Sequence, residues 1–305
     1  MTKWTLNRPN GSRKESLIRV KTLLCTAFAL VAFAANSIFC RLALGDSAID
    51  AATFTTLRLI SGAATLLLIS SARDRKTAPI SRSDWASAAL LFLYAVSFSF
   101  AYVGLSVGTG ALILFGSVQA TMILGALRKG ERPRLVEWAG LWLALSGLVF
   151  LVFPGLTAPS PTRSGLMALA GISWGLYSLR GRTTISPLAE TSRSFVLSVP
   201  FALLVSIIMP LQLRTSLEGV LLAVLSGALA SGLGYVAWYS ALMGLTATRA
   251  AIVQLAVPVL TALTGVVLLS EQVTLRLILS AALILGGVGV AFRKRGEPDP
   301  LKAAE

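Results

Sequence analysis

Arg128-Lys129-Gly130-Glu131-Arg132-Pro133-Arg134 and Leu268-Leu269-Ser270-Glu271-Gln272-Val273-Thr274 are two versions of one segment, set 140 positions apart. Around them residues 111–152 return as 251–292: Ala111 matches Ala251, Thr121 Thr261, Gly125 Gly265, Glu131 Glu271, Leu135 Leu275, Leu143 Leu283, Leu145 Leu285 and Gly147 Gly287. Shared Leu and Ala are common in apolar chains, but a glutamate and glycines kept in one register mark a duplication. Upstream, Tyr102-x-x-Leu105 pairs with Tyr239-x-x-Leu242 at a spacing of 137, so the later unit carries three extra residues. The first segment holds four cations and its mate none, the contrast expected when a cytoplasmic loop is compared with one on the opposite side of a membrane.

The composition demands that membrane. Of the 305 residues 55% are hydrophobic and only 13% charged, against about 25% charged in soluble domains. Apolar runs long enough to cross a bilayer core of about 30 Å fall at 23–43, 51–71, 85–106, 109–127, 135–153, 164–180, 191–210, 217–243, 248–269 and 275–292. The first follows basic residues, and Ala32-Phe33-Ala34 resembles a cleavage site, but it continues to Leu44 and reads as a retained span. The expected fold is all-α and integral to the membrane, with ten transmembrane helices in two five-helix repeats. An N-terminal arm (1–22) leads into the first repeat (23–153). A Pro-rich linker (154–163) precedes the second repeat (164–292), and a tail (293–305) ends the chain. Five spans is an odd number, so the second repeat enters from the opposite side. Inverted repeats around a midplane site are a recurrent transporter architecture.

Assigning loops alternately to two sides places 22 of the 27 Lys and Arg with the N-terminal arm and four opposite, leaving Arg58 inside a span. The bias orients both termini and the arm to the cytoplasm and puts the 154–163 linker in the periplasm. It also accounts for the net charge of +14 without nucleic acid as a partner. Histidine is absent, and Cys25 and Cys40 lie 15 residues apart, about 22 Å along a helix, too far to bridge. No metal, cofactor or disulfide is expected. All 13 carboxylates fall in loops or at helix ends, so the buried acid of a proton-coupled cation antiporter is missing. Phosphate cargo would require several cavity cations. Arg58 and Arg41 read as topology or packing residues near the outer face, which predicts cargo without a large net charge.

Two five-helix units, a Gly-Glu or Ser-Glu turn before each closing helix, and Gly-rich closing helices (Gly140 to Gly147; Gly286, Gly287, Gly289) resemble the EamA-type drug/metabolite transporter superfamily. Pro258, thirteen residues before Glu271, fits that family's second-unit pattern. Val118 stands where a first-unit proline would align, and Ser280 replaces the glycine kept as Gly140. Within the superfamily the chain looks most like the bacterial aromatic amino acid exporters. That resemblance implies a bacterial inner-membrane carrier that exports small metabolites by alternating access; a monomer is expected.

The remaining site candidates are aromatic and amide side chains within spans. Tyr94 and Trp174 lie near the centres of theirs, where a phenol or indole N–H needs a partner. Tyr94, Phe98 and Tyr102 share one helix face, as do Trp174 and Tyr177. Trp238 and Tyr239, with Tyr235, approach the cytoplasmic end, where an interfacial belt is an alternative reading; Trp85, Trp138 and Trp142 belong to that belt. Asn36 and Gln254 are amides suited to a cavity, and the small residues Gly227, Ala230, Ser231 and Gly234 to close helix packing. Asn36, Tyr94, Tyr102, Trp174, Tyr177, Trp238, Tyr239 and Gln254 are thus the expected substrate-binding set, for a neutral or zwitterionic, preferably aromatic amino acid. Multidrug efflux of organic cations is the rival within the family, and an intramembrane enzyme or receptor the rival outside it.

Overall fold

The computed structural model describes residues 10–45, 48–71, 80–105, 107–153, 160–209, 215–269 and 273–293. Glu271, residues 154–159 of the linker, residues 1–9 of the arm and 294–305 of the tail lie outside them. The described residues form ten helical rods. The first five are α1 (Asn10–Gly45), α2 (Ala51–Ser71), α3 (Arg82–Tyr102), α4 (Val107–Arg128) and α5 (Leu135–Val152). The next five are α6 (Pro161–Gly181), α7 (Pro187–Ile208), α8 (Leu217–Leu242), α9 (Ala247–Gln254 continued by Ala256–Leu269) and α10 (Leu275–Phe292). Among the described residues, nine helices are long and apolar enough to cross a membrane. The exception is α6, whose buried face carries Ser173, Trp174, Tyr177 and Ser178.

The surface is turned inside out relative to a soluble bundle. Leu68, Leu135 and Ile207 are more than two-thirds exposed, while Ser87, Ser99, Thr191 and Ser231 are fully buried. Lipid accepts the first group; within the second, Ser99 donates to the Ala95 carbonyl, and Ser87 and Ser231 accept from Arg180 and Arg58.

Helix ends follow local chemistry. Ser81 caps α3 in a reciprocal box with Asp84, and Thr246 and Thr274 cap α9 and α10. Pro161 and Pro187 occupy first-turn positions, where a missing N–H is harmless, so α6 and α7 begin several residues before the apolar runs at 164 and 191. Pro258 has the opposite effect: it has no N–H for the Gln254 carbonyl, and α9 breaks at Leu255, whose N–H turns back to Ile252. The mate of α9, α4, has Val118 at the corresponding region and runs unbroken.

Packing obeys an inverted two-fold that exchanges each helix with the one five places later. α5 packs on α10, α2 on α7 and α4 on α9. The α3–α6 pair has its counterpart in α8–α1, α3–α7 in α8–α2, and α4–α6 in α9–α1. The α5–α10 crossing depends on glycine: a Cβ on Gly140 would meet the Gly287 carbonyl and lie 2.8 Å from Ala291, and one on Gly287 would lie 2.6 Å from the Ala144 nitrogen. One end of the bundle, the basic face, carries Arg128, Arg134, Arg180, Arg182 and Arg249. Arg41, Arg163 and Arg276 mark the far face.

Candidate functional site

At mid-depth, between α1, α3, α4, α6 and α9, lies a pocket of about 30 Å³ walled by Phe33, Tyr94, Phe98, Trp174 and the amides of Asn36 and Gln254. Three of its polar side chains are tied down. The Trp174 indole N–H donates to Gln254 Oε1 at 2.6 Å, and Gln254 Nε2 donates to the Ala250 carbonyl at 3.0 Å. The Ser226 hydroxyl donates to Asn36 Oδ1 at 2.7 Å. Trp174 is the hub of the rings, with centroids 5.0 Å from Tyr94, 5.2 Å from Phe33 and 4.7 Å from Tyr235, within the range of favourable aromatic contact.

Ser37, Leu114, Phe115 and Val257 belong both to this pocket and to a vestibule of about 280 Å³ on the far-face side, which Tyr102, Arg41, Pro258 and Arg276 also line. Toward the basic face the passage is shut. Tyr177, Trp238 and Tyr239 are fully buried in a packed layer, with Tyr239 donating to the Tyr177 carbonyl and Trp238 to Ser178, both at 3.0 Å. Tyr102 and Tyr239 are repeat mates in opposite states: Tyr102 lines an open space while Tyr239 is packed away.

Of the expected set, Asn36, Tyr94, Trp174 and Gln254 thus meet at one pocket and Tyr102 stands at its approach. Tyr177, Trp238 and Tyr239 line neither cavity. The interfacial-belt reading of Tyr235, Trp238 and Tyr239 is corrected, since all three are 1% exposed or less. Arg58 is also corrected: it is a core residue, 1% exposed, whose Nε donates to the Ser231 hydroxyl at 2.9 Å and whose Nη2 donates to the Tyr235 hydroxyl at 2.7 Å. Ser231 therefore does more than let helices approach. It sits in a π-helical stretch of α8, Ser226–Leu233, which crosses α2 so closely that a Cβ on Gly227 would strike the Arg58 carbonyl and Ser61. π-turns of this kind often accompany functional sites. The available signal was an arginine inside an apolar span, which by default marks function, together with Ser231 and Tyr235 one turn apart on α8.

The basic face is bound by ions that join the two repeats. Glu131, between α4 and α5, accepts the backbone N–H groups of Ala247 and Thr248 at 3.1 and 3.0 Å, while Thr246 accepts that of Arg249. The first three orphan donors of α9 are thereby satisfied, two of them by a carboxylate from the other repeat. Arg182, at the end of α6, stands 3.4 Å from the same carboxylate, and Glu137 of α5 pairs with Arg249 at 3.1 Å. Partial burial alone would raise the Glu131 pKa, but the Thr248 and Ala247 hydrogen bonds and the Arg182 charge outweigh it and hold the carboxyl below its ordinary value of 4.5. A separate groove of about 540 Å³ among Leu90, Gly125, Leu176, Leu179 and Arg180 shares no lining residue with the pocket.

Comparison with known proteins supplies the family. The EamA-like transporter family matches residues 20–153 and again 164–293, one copy on each repeat. An uncharacterized protein of Pseudomonas aeruginosa is 50% identical over 275 residues, covering 90% of this chain and 96% of that one. An uncharacterized transporter of Archaeoglobus fulgidus is 27% identical over 291 residues, covering 90% and 98%. A crystal structure titled only as that of a protein shares the fold, with a TM-score of 0.73 at 21% identity over 87% of this chain and 98% of its own. The twice-matched family model, the inverted packing and the midplane pocket agree: this chain belongs to the EamA-like transporter family and is a multi-pass membrane transporter.

Proposed function

We propose that the protein exports neutral or zwitterionic small metabolites, with aromatic and other apolar amino acids as its main cargo, from the cytoplasm across the bacterial inner membrane by alternating access. The observation that carries this reading is the midplane pocket, where aromatic rings surround two amides and, among the described residues, no carboxylate lines the wall. Rings bind an apolar side chain by area and stacking, and amides hydrogen-bond the polar end of an amino acid. Placing both termini and the basic face in the cytoplasm follows from the arginine and lysine bias. The rocking that exchanges the two faces is the movement an inverted repeat permits. With no carboxylate on the pocket wall among the described residues, the carrier is proposed to run down the cargo gradient; it works as a monomer and needs no cofactor. Organic-cation efflux finds less support, because Arg58 stands against two of the pocket's rings.

The test is counterflow of labelled phenylalanine into proteoliposomes preloaded with each of the twenty amino acids. Accumulation is expected with aromatic and large apolar amino acids inside, and ethidium in the same vesicles should compete poorly. Replacing Trp174 or Tyr94 by alanine should reduce the rate at least tenfold in protein that still elutes as a single folded species. Ethidium counterflow without phenylalanine counterflow would overturn the cargo reading in favour of the cation carrier.

A further inference from the structure

Arg58 is a guanidinium in the middle of an apolar bundle, with no acid beside it among the described residues. Two of its nitrogens are held by neutral hydroxyls, and the third, Nη1, is buried without a hydrogen-bond partner among the described residues. A guanidinium keeps its charge under all ordinary conditions, and an uncompensated buried cation is strongly unfavourable. A packing role explains it poorly, since a neutral side chain of similar length would span α2 and α8 without that penalty. The position makes sense if an anion arrives there during the working cycle.

The surroundings say which anion, and from where. The guanidinium carbon lies 5.4 Å from the Tyr94 ring centroid and 6.0 Å from that of Phe98, and the same two rings wall the midplane pocket. One ring thickness therefore separates Arg58 from the pocket. At about 30 Å³ the pocket is far smaller than the several hundred Å³ of cavities that hold small-molecule ligands, so its walls must move when an aromatic cargo enters. Rotation of Tyr94 out of the pocket would enlarge it and uncover Arg58 in one movement. Among the described residues, Arg41 and Arg276 line the vestibule and no Asp or Glu lines either cavity.

We propose that Arg58 is the carboxylate anchor of the transport site, reached when Tyr94 swings aside, so that a carboxylate is an obligatory feature of the cargo. The assignment deepens the carrier reading above and rests on it, but it makes its own demand. Aryl carboxylates without an amine should bind, and aryl amines without a carboxylate should not.

The experiment measures thermal stabilisation of the detergent-purified full chain by phenylalanine, 3-phenylpropanoate and phenethylamine, each at millimolar concentration. The wild type should be stabilised by the two carboxylates and not by the amine. R58Q should lose both shifts. R58K keeps a charge without the bidentate fork and should weaken the carboxylates by roughly 10- to 100-fold in apparent affinity; it also serves if the glutamine variant fails to fold. Stabilisation by the amine equal to that by the acids overturns the anchor, as do carboxylate shifts that survive in folded R58Q and R58K, or the absence of any carboxylate shift in the wild type. The two proposals fail separately. Phenylalanine counterflow undiminished in R58Q and R58K removes the anchor and leaves the amino-acid carrier, whereas Arg58-dependent binding of phenylpropanoate without phenylalanine removes the amino-acid cargo and leaves the anchor.

Discussion

The closest single dependence in the pocket is that of Trp174 on Gln254. The 2.6 Å bond from indole to amide joins α6 to α9 within the second repeat, and both residues are buried. W174F leaves Gln254 Oε1 without its donor, and Q254L leaves the indole N–H without its acceptor. Each should lower stability by about 1–3 kcal/mol, the usual penalty for an orphaned buried polar group. The double variant removes both partners and should lie well above the sum of the singles, which melting temperatures of the four proteins in one detergent would measure. Additive losses would mean the bond contributes nothing as a pair. These residues were legible because an indole and an amide inside apolar runs need partners. The place of Arg58 was not legible, because one sequence line gives its depth along α2 but not its rotation toward Ser231 and Tyr235. Tyr177, Trp238 and Tyr239 show the same limit: being aromatic and inside a span does not distinguish a cavity wall from the packed layer beneath it.

At the level of the helix the sequence was read more fully, since span length, proline and glycine act locally. Even so, Pro161 and Pro187 moved two helix starts outward, and the break in α9 emerges only when the carbonyl four residues before Pro258 is followed. That break places Gln254 at the end of one half-helix, where it meets Trp174. P258A supplies the missing N–H and should fuse the halves of α9, slowing amide exchange around residues 255–259. Because Pro258 also lines the vestibule and its kink sets the direction of Gln254, transport should fall severalfold although the helix becomes more regular. Unchanged exchange would show that tertiary packing, rather than the proline, enforces the break. The crossing of α5 and α10 supplies a second test. G140V drives a branched side chain against the Gly287 carbonyl and Ala291 and should destabilise by about 1–3 kcal/mol. G286V, at a glycine whose added Cβ meets nothing within 4 Å, should have little effect on the melting temperature.

For the whole molecule, the far face is open and the basic face closed, and that asymmetry fixes what must break for the carrier to turn over. The far face presents a vestibule; the basic face is bound by a carboxylate from one repeat that caps a helix of the other. Moving the repeats apart there strips Ala247 and Thr248 of their acceptor and parts Glu131 from Arg182. Such a carboxylate cap contributes about 1 kcal/mol after screening at a partly exposed site, roughly a fivefold change in population. The sign with pH follows from the lowered pKa of Glu131. The closed basic face binds the ionised carboxylate, so the cap is complete above the ordinary value of 4.5 and is lost as pH falls through the lower value of the closed state. E131Q keeps an oxygen for the two N–H groups but removes the charge that attracts Arg182 and the helix end. Spin labels at Lys129 and the exposed Met243, in a background with Cys25 and Cys40 replaced by alanine, report this separation directly. The wild type should show a predominant short distance at neutral pH and gain a longer component on acidification below about 4.5. E131Q should show that longer component already at neutral pH and lose its pH dependence in the same window. If the variant's distances match those of the wild type at neutral pH, Glu131 is not what holds the basic face shut, and closure must reside in the packed layer of Tyr177, Trp238 and Tyr239.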